Sequence, residues 1–267
     1  MTHHTDILTT IVAHKRREIE MQQEAVSFSH LEHLISTYHA PPRRSLRQAL
    51  LESSTGIIAE FKRKSPSKGW ISRHAEAETV ATGYTRAGAA ALSVLTDEFF
   101  FGGNLSDIKA IRPHTDLPIL RKDFILSEYQ LYQARAIQAD AVLLIAAVLS
   151  RKECRQLTRK AHELGLEVLL EIHSEHELEY LEEEVDLAGI NNRHLSSFTT
   201  DVEHSFRLGA QLPSGLPRIS ESGISSPETV RALRASGFSG FLIGETFMKT
   251  EDPGETLSNF IEQIQTV

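Results

Sequence analysis

From Ile57 onward, short apolar runs alternate with stretches of helical period, and that alternation leaves few folds open to this chain. The apolar runs cover 57–61, 90–95, 117–120, 141–145, 166–170, 186–190, 216–220 and 240–243. Amphipathic segments at 75–87, 128–138, 151–164, 175–183 and 227–235 lie between them. Strands that are apolar nearly throughout are buried on both faces, which predicts a parallel sheet covered by helices. Eight such units in roughly 210 of the 267 residues fit an α/β fold of the (β/α)8 TIM-barrel type, usually about 250 residues long. A doubly wound open sheet would carry a Gly-rich dinucleotide turn after its first strand. Here that strand runs into Lys62-Arg-Lys-Ser-Pro66, with no G-x-G-x-x-G. The expected architecture is one barrel domain spanning 1–267.

Residues 1–50 stand outside the alternation. Ile7, Leu8, Ile11, Val12 and Ile19 share a helical face, with Lys15, Arg16, Arg17 and Glu18 mostly elsewhere. Phe28, Leu31, Leu34 and Ile35 follow before Pro41-Pro42. So short a segment cannot bury a core alone. It predicts a helical extension packed on the barrel, either plugging and bracing it or covering the active-site mouth.

The net charge of −8 argues against wholesale wrapping of nucleic acid. Cys154 is the only cysteine, which excludes an internal disulfide or a thiolate-rich zinc site. It lies in a helix without an identifiable base and reads as inert. No secretory pattern opens the sequence and no apolar run nears the roughly 20 residues that span a bilayer. A reducing cytoplasm is the expected setting.

In barrels of this kind, chemistry gathers at the C-terminal ends of the strands. Alternate strand residues share a face, so Glu60 and Lys62 should emerge together. Later ends supply Lys122, Glu171, Asn191-Asn192-Arg193, Glu221-Ser222-Gly223 and Gly244-Glu245. Lysines and carboxylates aimed at one mouth shift one another's pKa values and suit acid–base catalysis. Gly223 and Gly244, after the last two strands, let backbone N–H groups approach an anion. Ser225-Ser226-Pro227-Glu228 reads as a helix cap beside them. No metal cage is visible; the pairs His173/His176 and His30/His33 have ligand spacing but read as surface residues. The basic run 62–68 abuts a buried strand in an acidic chain, which favours an anionic small molecule over nucleic acid. Phe99-Phe-Phe101-Gly-Gly103 reads as a mobile loop offering an apolar wall.

At these residues the chain resembles the indole-3-glycerol-phosphate synthases of tryptophan biosynthesis. The matching pieces are Ile11-Val-Ala-His-Lys-Arg16, Glu60-Phe-Lys-Arg-Lys-Ser-Pro-Ser-Lys-Gly69, Leu92-Ser-Val-Leu-Thr-Asp97, Phe101-Gly-Gly103 and Leu120-Arg-Lys-Asp-Phe124. Leu170-Glu-Ile-His173, Gly189-Ile-Asn-Asn-Arg193, Ser220-Glu-Ser-Gly-Ile224 and Leu242-Ile-Gly-Glu245 complete the set. Lys64 and His194 depart from the usual pattern, a small residue and an acidic or amide residue respectively.

The resemblance implies ring closure, decarboxylation and dehydration of 1-(2-carboxyphenylamino)-1-deoxyribulose 5-phosphate, without cofactor or metal. It implies catalytic roles for Glu60, Lys62, Lys122, Glu171 and Asn191. Ser65, Pro66, Phe101, Phe124, Leu143, Arg193 and Leu195 would bind substrate, and Ser222, Gly223, Gly244 and Glu245 its phosphate. Glu245 should turn its carboxylate away from that phosphate. Expected partners are this phosphosugar–anthranilate substrate and other enzymes of the pathway, with no nucleic acid and no membrane. A Schiff-base phosphosugar aldolase and a non-catalytic phosphate-binding barrel are the alternatives.

Overall fold

The computed structural model describes residues 7–37, 44–182, 184–194 and 199–266. Within them eight parallel strands close into a barrel: β1 (Ile57–Phe61), β2 (Ala91–Leu95), β3 (Ile119–Lys122), β4 (Ala141–Ile145), β5 (Glu167–Ile172), β6 (Leu187–Asn191), β7 (Arg218–Glu221) and β8 (Gly240–Ile243). Each strand pairs with the next, and β1 closes the ring on β8 with Ile58 opposite Leu242. Three helices precede the barrel: α1 (Ile7–Ala25), α2 (Phe28–Thr37) and α3 (Leu46–Glu52). Around it run α4 (Ala77–Ala87), α5 (Glu98–Phe101), α6 (Leu105–Ile111), α7 (Glu128–Ala136), α8 (Arg151–Glu163), α9 (Glu203–Gly209), α10 (Pro227–Ala235), α11 (Glu245–Met248) and α12 (Pro253–Gln265). Among the described residues no helix is long and apolar enough to cross a membrane.

Several strands end later than the apolar pattern predicts. β3 runs to Lys122, β5 to Ile172, β6 to Asn191 and β7 to Glu221. The hydrogen-bonded ladder continues past the point where hydrophobicity stops, because the last inward side chains are charged or amide. β3 and β7 also start late, after Pro118 and Pro217, which lack an N–H to give the ladder; their carbonyls still accept from Leu92 and Ala188.

Local chemistry accounts for most helix starts. Ser150 and Glu153 form a reciprocal capping box at α8. At α10 the cap is Ser226, one residue on from Ser225, with Pro227 at the first helical position. The segment Glu175–Glu182 forms a 3-10 helix, not the expected amphipathic α-helix. Glu175 and Glu179 would stack at i,i+4 in an α-helix, and that like-charge contact is unfavourable.

The three N-terminal helices divide the two roles expected of the extension. Leu46 and Leu50 of α3 join the inner core with Ile58, Leu143, Leu169, Ile219 and Leu242. Ser45 and the Arg47 N–H bond Glu167, the first residue of β5, so α3 plugs the end where strands begin. α2 braces the wall, with Leu31 and Ile19 packed on Tyr129 of α7. α1 reaches the opposite end, where Ile7, Leu8 and Ile11 line a cavity. Lys15 is not on the solvent side, as its charge suggested, but 1% exposed between Asp97 and Asp123. The ion pairs there compensate a charge that burial alone would expel.

Candidate active site

A cavity of about 660 Å³ opens where the strands end. β1 sends Glu60 into it and the following turn Lys62, with Ser65 and Pro66 from the next loop. Lys122 and Phe124 enter from β3, Leu143 from β4, Glu171 from β5, and Asn191 and Arg193 from β6. Phe101 enters from α5; Ser222, Gly223, Gly244 and Glu245 come from the last two loops. Leu195 lies outside the described residues.

The charged groups form a pair and a trio. Lys62 Nζ lies 2.5 Å from Glu60 Oε1. Lys122 Nζ lies 3.1 Å from Glu171 Oε2 and 3.5 Å from Glu221 Oε2. Burial alone would depress the Lys122 ammonium, but the charges of Glu171, Glu221 and Glu60 raise its pKa instead. Lys122 is therefore an acid at rest.

Its two carboxyl neighbours are poised differently. Burial works against the Glu171 carboxylate, yet Lys122, His173 and an Asn191 hydrogen bond hold its pKa down to about 2. Burial pushes Glu221 up to about 8, and the negative charges of Glu171 and Glu60 oppose its ionisation too. Neither Glu221 oxygen receives a protein N–H or O–H among the described residues. A proton on Glu221, donated to Glu171, gives one Glu221 oxygen a partner and removes the like-charge contact between the two carboxyls. Two glycines make room for these groups: a β-carbon at Gly189 would collide with Glu221 Oε1, and one at Gly244 with Glu60 Oε1.

One side of the cavity mouth is built from the last two loops. Ser222 (φ 67°) and Gly223 (φ 76°) both adopt positive φ. For Ser222 that conformation costs on the order of 1–3 kcal/mol, strain of the kind found at ligand clamps. The Glu245 carboxylate lies 3.6 Å from Lys68 Nζ and 4.0 Å from an Arg193 guanidinium nitrogen. Arg193 also donates to Ser67 Oγ at 2.7 Å. Lys68 and Arg193 thus converge on the mouth.

The apolar wall pairs Phe101 with Phe124, ring centroids 6.1 Å apart and tilted by 39°. The segment expected as a mobile loop is a helical turn, α5, because Asp97 accepts from the Phe100 N–H at 2.8 Å. The basic run is not a free patch. Arg63 makes a bidentate pair with Asp107, and Lys64–Ser65 pairs antiparallel with Gly69–Trp70. Among the described residues no group of three or more His, Cys, Asp and Glu side chains is placed to hold a metal. Cys154 is buried in α8.

The family model of indole-3-glycerol phosphate synthase matches residues 8–260. The chain belongs to the indole-3-glycerol phosphate synthase family. It is 58% identical over 260 residues to the indole-3-glycerol phosphate synthase of Bacteroides thetaiotaomicron, covering 97% of this chain and 99% of that one. The Magnetococcus marinus protein of the same name is 42% identical, covering 96% and 98%. Among solved structures, the tryptophan synthase α subunit of Legionella pneumophila superposes with a TM-score of 0.61 at 14% identity, covering 83% of this chain and 98% of that one. Thiamine phosphate pyrophosphorylase from Pyrococcus furiosus gives 0.60 at 17% identity, with the same coverage. These last two share the barrel. Membership in the synthase family makes the chain a carboxy-lyase of tryptophan biosynthesis.

Both departures from the usual synthase pattern have structural partners. Lys64 Nζ donates to the Phe99 carbonyl at 2.7 Å, between the Trp70 and Phe99 rings. The His194 ring lies 6.3 Å from that of His204. Sequence reasoning placed Glu221 at a strand end but gave it no role in the synthase site. An acid at the inward-facing end of a buried strand was the available signal. The lining by Ile7, Leu8 and Ile11 accords with the expectation that the extension covers the active-site mouth.

Proposed function

We propose that the cavity converts 1-(2-carboxyphenylamino)-1-deoxyribulose 5-phosphate to indole-3-glycerol phosphate, CO2 and water. The Lys122 ammonium held against Glu171 and Glu221 in a cavity with an aromatic wall carries the assignment. The substrate ring carbon bearing the carboxylate attacks the ketone, whose oxygen gains negative charge. Lys122 stabilises and protonates that oxygen. Loss of CO2 restores aromaticity, which supplies the driving force without a cofactor. Water then leaves, with Glu171 removing a proton and Lys62 protonating the departing hydroxyl.

Glu60 orients Lys62, the two being 2.5 Å apart. Asn191 orients Glu171 and, with Arg193, positions the substrate. Ser65 and Pro66 shape the pocket, while Phe101, Phe124, Leu143 and Leu195 hold the ring. Backbone N–H groups at Ser222, Gly223, Gly244 and Glu245 take the phosphate. Lys68 and Arg193 can exchange the Glu245 carboxylate for that dianion as it enters. The buried, single Cys154 suits a cytoplasmic setting, and association with neighbouring pathway enzymes belongs to the same proposal.

A Schiff-base aldolase needs a neutral amine as nucleophile. The raised pKa of Lys122 counts against that chemistry. A barrel that only bound phosphate would gain nothing from burying Glu171 and Glu221 around a lysine far inside the cavity.

Purified protein incubated with the carboxyphenylamino substrate, without added metal or cofactor, should produce indole fluorescence and one CO2 per turnover. Binding without turnover would sink the proposal in favour of the phosphate-binding barrel. A borohydride-trapped lysine adduct would favour the aldolase.

A further inference from the structure

We propose that Lys15 is a positioning residue for the lyase reaction, its buried ammonium tying α1 to Asp97 and Asp123 and thereby fixing Phe101, Lys122 and Phe124 at the rim. The proposal rests on the role given to Lys122 above. Lys15 Nζ lies 2.8 Å from Asp97 Oδ2 and 3.0 Å from Asp123 Oδ1, with Glu18 Oε2 of its own helix at 2.9 Å. Both aspartate side chains are 1% exposed or less.

Each aspartate organises a turn that carries a site residue. Asp97 accepts the Phe100 N–H at 2.8 Å, and its carbonyl accepts from Gly103, which closes the turn presenting Phe101. Apart from the Lys15 ammonium, no partner for Asp97 Oδ2 is found among the described residues, so Lys15 is what compensates it. Asp123 directly follows Lys122. Its Oδ1 accepts the Phe124 N–H at 2.8 Å, while its Oδ2 accepts from Thr96 at 2.6 Å and Arg121 at 2.9 Å. Lys15 is therefore the joint between the helical extension and both turns.

Simple adhesion does not explain this arrangement. Apolar side chains at positions 15, 97 and 123 together would anchor α1 at least as well, because replacing a whole buried ion cluster by packed apolar groups is often neutral or stabilising. What the ammonium adds is direction: it fixes where two carboxylates sit. One turn earlier on the same face of α1, Ile11 lines the cavity. Helix, turns and cavity wall are thus joined through Lys15.

Lys15→Met in the full chain keeps the shape and removes the charge. We expect a native circular-dichroism spectrum, a kcat lowered by about 10–100-fold and a KM within about threefold of the parent, as for misplaced catalytic groups. Hydrogen exchange should quicken by about tenfold or more at the Phe100 and Phe124 amides and stay unchanged in β1 and β8, as for a local opening. A kcat within twofold of the parent, or a rise in exchange spread evenly over the barrel, would overturn the proposal. Should Lys15→Met fail to fold, Asp97→Asn removes one charge of the cluster with little change of shape and carries the same two readouts. A parent protein that does not turn over substrate would refute the lyase proposal instead. The exchange comparison would still decide whether Lys15 fixes the two turns.

Discussion

Glu171 and Glu221 share the Lys122 ammonium, at 3.1 and 3.5 Å, yet hold their protons oppositely. One is a carboxylate down to about pH 2, the other a carboxylic acid up to about pH 8. Neighbouring carboxyls pushed apart in this way divide the work of base and proton donor. At neutral pH the cluster carries one negative charge on Glu171 against one positive charge on Lys122, with Glu221 as a neutral donor. That is a cheaper set of charges to bury than three.

The first consequence concerns Glu221. Its ionisation near pH 8 adds a second carboxylate beside Lys122 and removes the donor to Glu171. The kcat profile should therefore fall on its alkaline side near that pH. In Glu221→Gln the amide donates at every pH, so that limb should vanish while kcat at pH 7 stays within about tenfold of the parent. Stability carries the same signature. A folded pKa raised above the unfolded value gives stability that is full below about pH 4.5 and lost as pH rises to about 8. Urea melts from pH 4.5 to 8.5 should show that this decline is flatter in Glu221→Gln; equal slopes would refute the assignment.

In the proposed mechanism Lys122 and Glu171 act at different steps, so their variants should differ in what accumulates. Lys122→Met loses the acid for ring closure and should lower kcat by about 10²–10⁴-fold, with neither CO2 nor indole released ahead of the other. Glu171→Gln leaves the first step largely intact but stalls dehydration. CO2 should then appear in a burst before indole fluorescence, with a steady rate lowered by a similar factor. Simultaneous release of both products in Glu171→Gln would remove Glu171 from the dehydration step.

Much of this site was legible because a barrel turns linear order into spatial order. Once β1, β4 and β8 are recognised as apolar runs, the residues that follow such runs must meet at one rim. Glu60, Lys122, Glu171 and Asn191 were found that way. The same hydrophobic criterion misplaced the ends of β3, β5, β6 and β7, since it stops where inward side chains become charged. Lys15 was misread for a related reason. A cation on an amphipathic helix is usually solvated, and only the tertiary fold brings Asp97 and Asp123 to it. The opposite protonation of Glu171 and Glu221 is a product of burial and distance, which no local pattern encodes.

Leu50 tests the division of labour within the N-terminal helices. It is 2% exposed and packs in the inner core against β8, whose Gly240 leaves it space. Leu50→Ala should cost about 2–5 kcal/mol of unfolding free energy, the usual range for a core leucine. Because α3 plugs the end remote from the cavity, kcat and KM should stay within about twofold wherever the variant is folded. A selective loss of kcat at full foldedness would mean that the plug communicates with the rim.

Glu245 makes the opposite prediction, a gain. On the proposed assignment its carboxylate, 38% exposed and balanced by Lys68 and Arg193, sits where the phosphate would arrive. A substrate dianion has to displace it from those cations, so part of the phosphate's attraction is lost to that exchange. In Glu245→Ser the hydroxyl removes the repulsion and leaves both cations free for the ligand. An exposed charge is worth about 0.5–1 kcal/mol after screening, which sets the expected effect at a two- to fivefold fall in KM with kcat unchanged. Inhibition by inorganic phosphate should strengthen by the same factor, and both effects should shrink as salt is added. A rise in KM instead would show that Glu245 serves chiefly to hold Lys68 and Arg193 in place before the substrate binds.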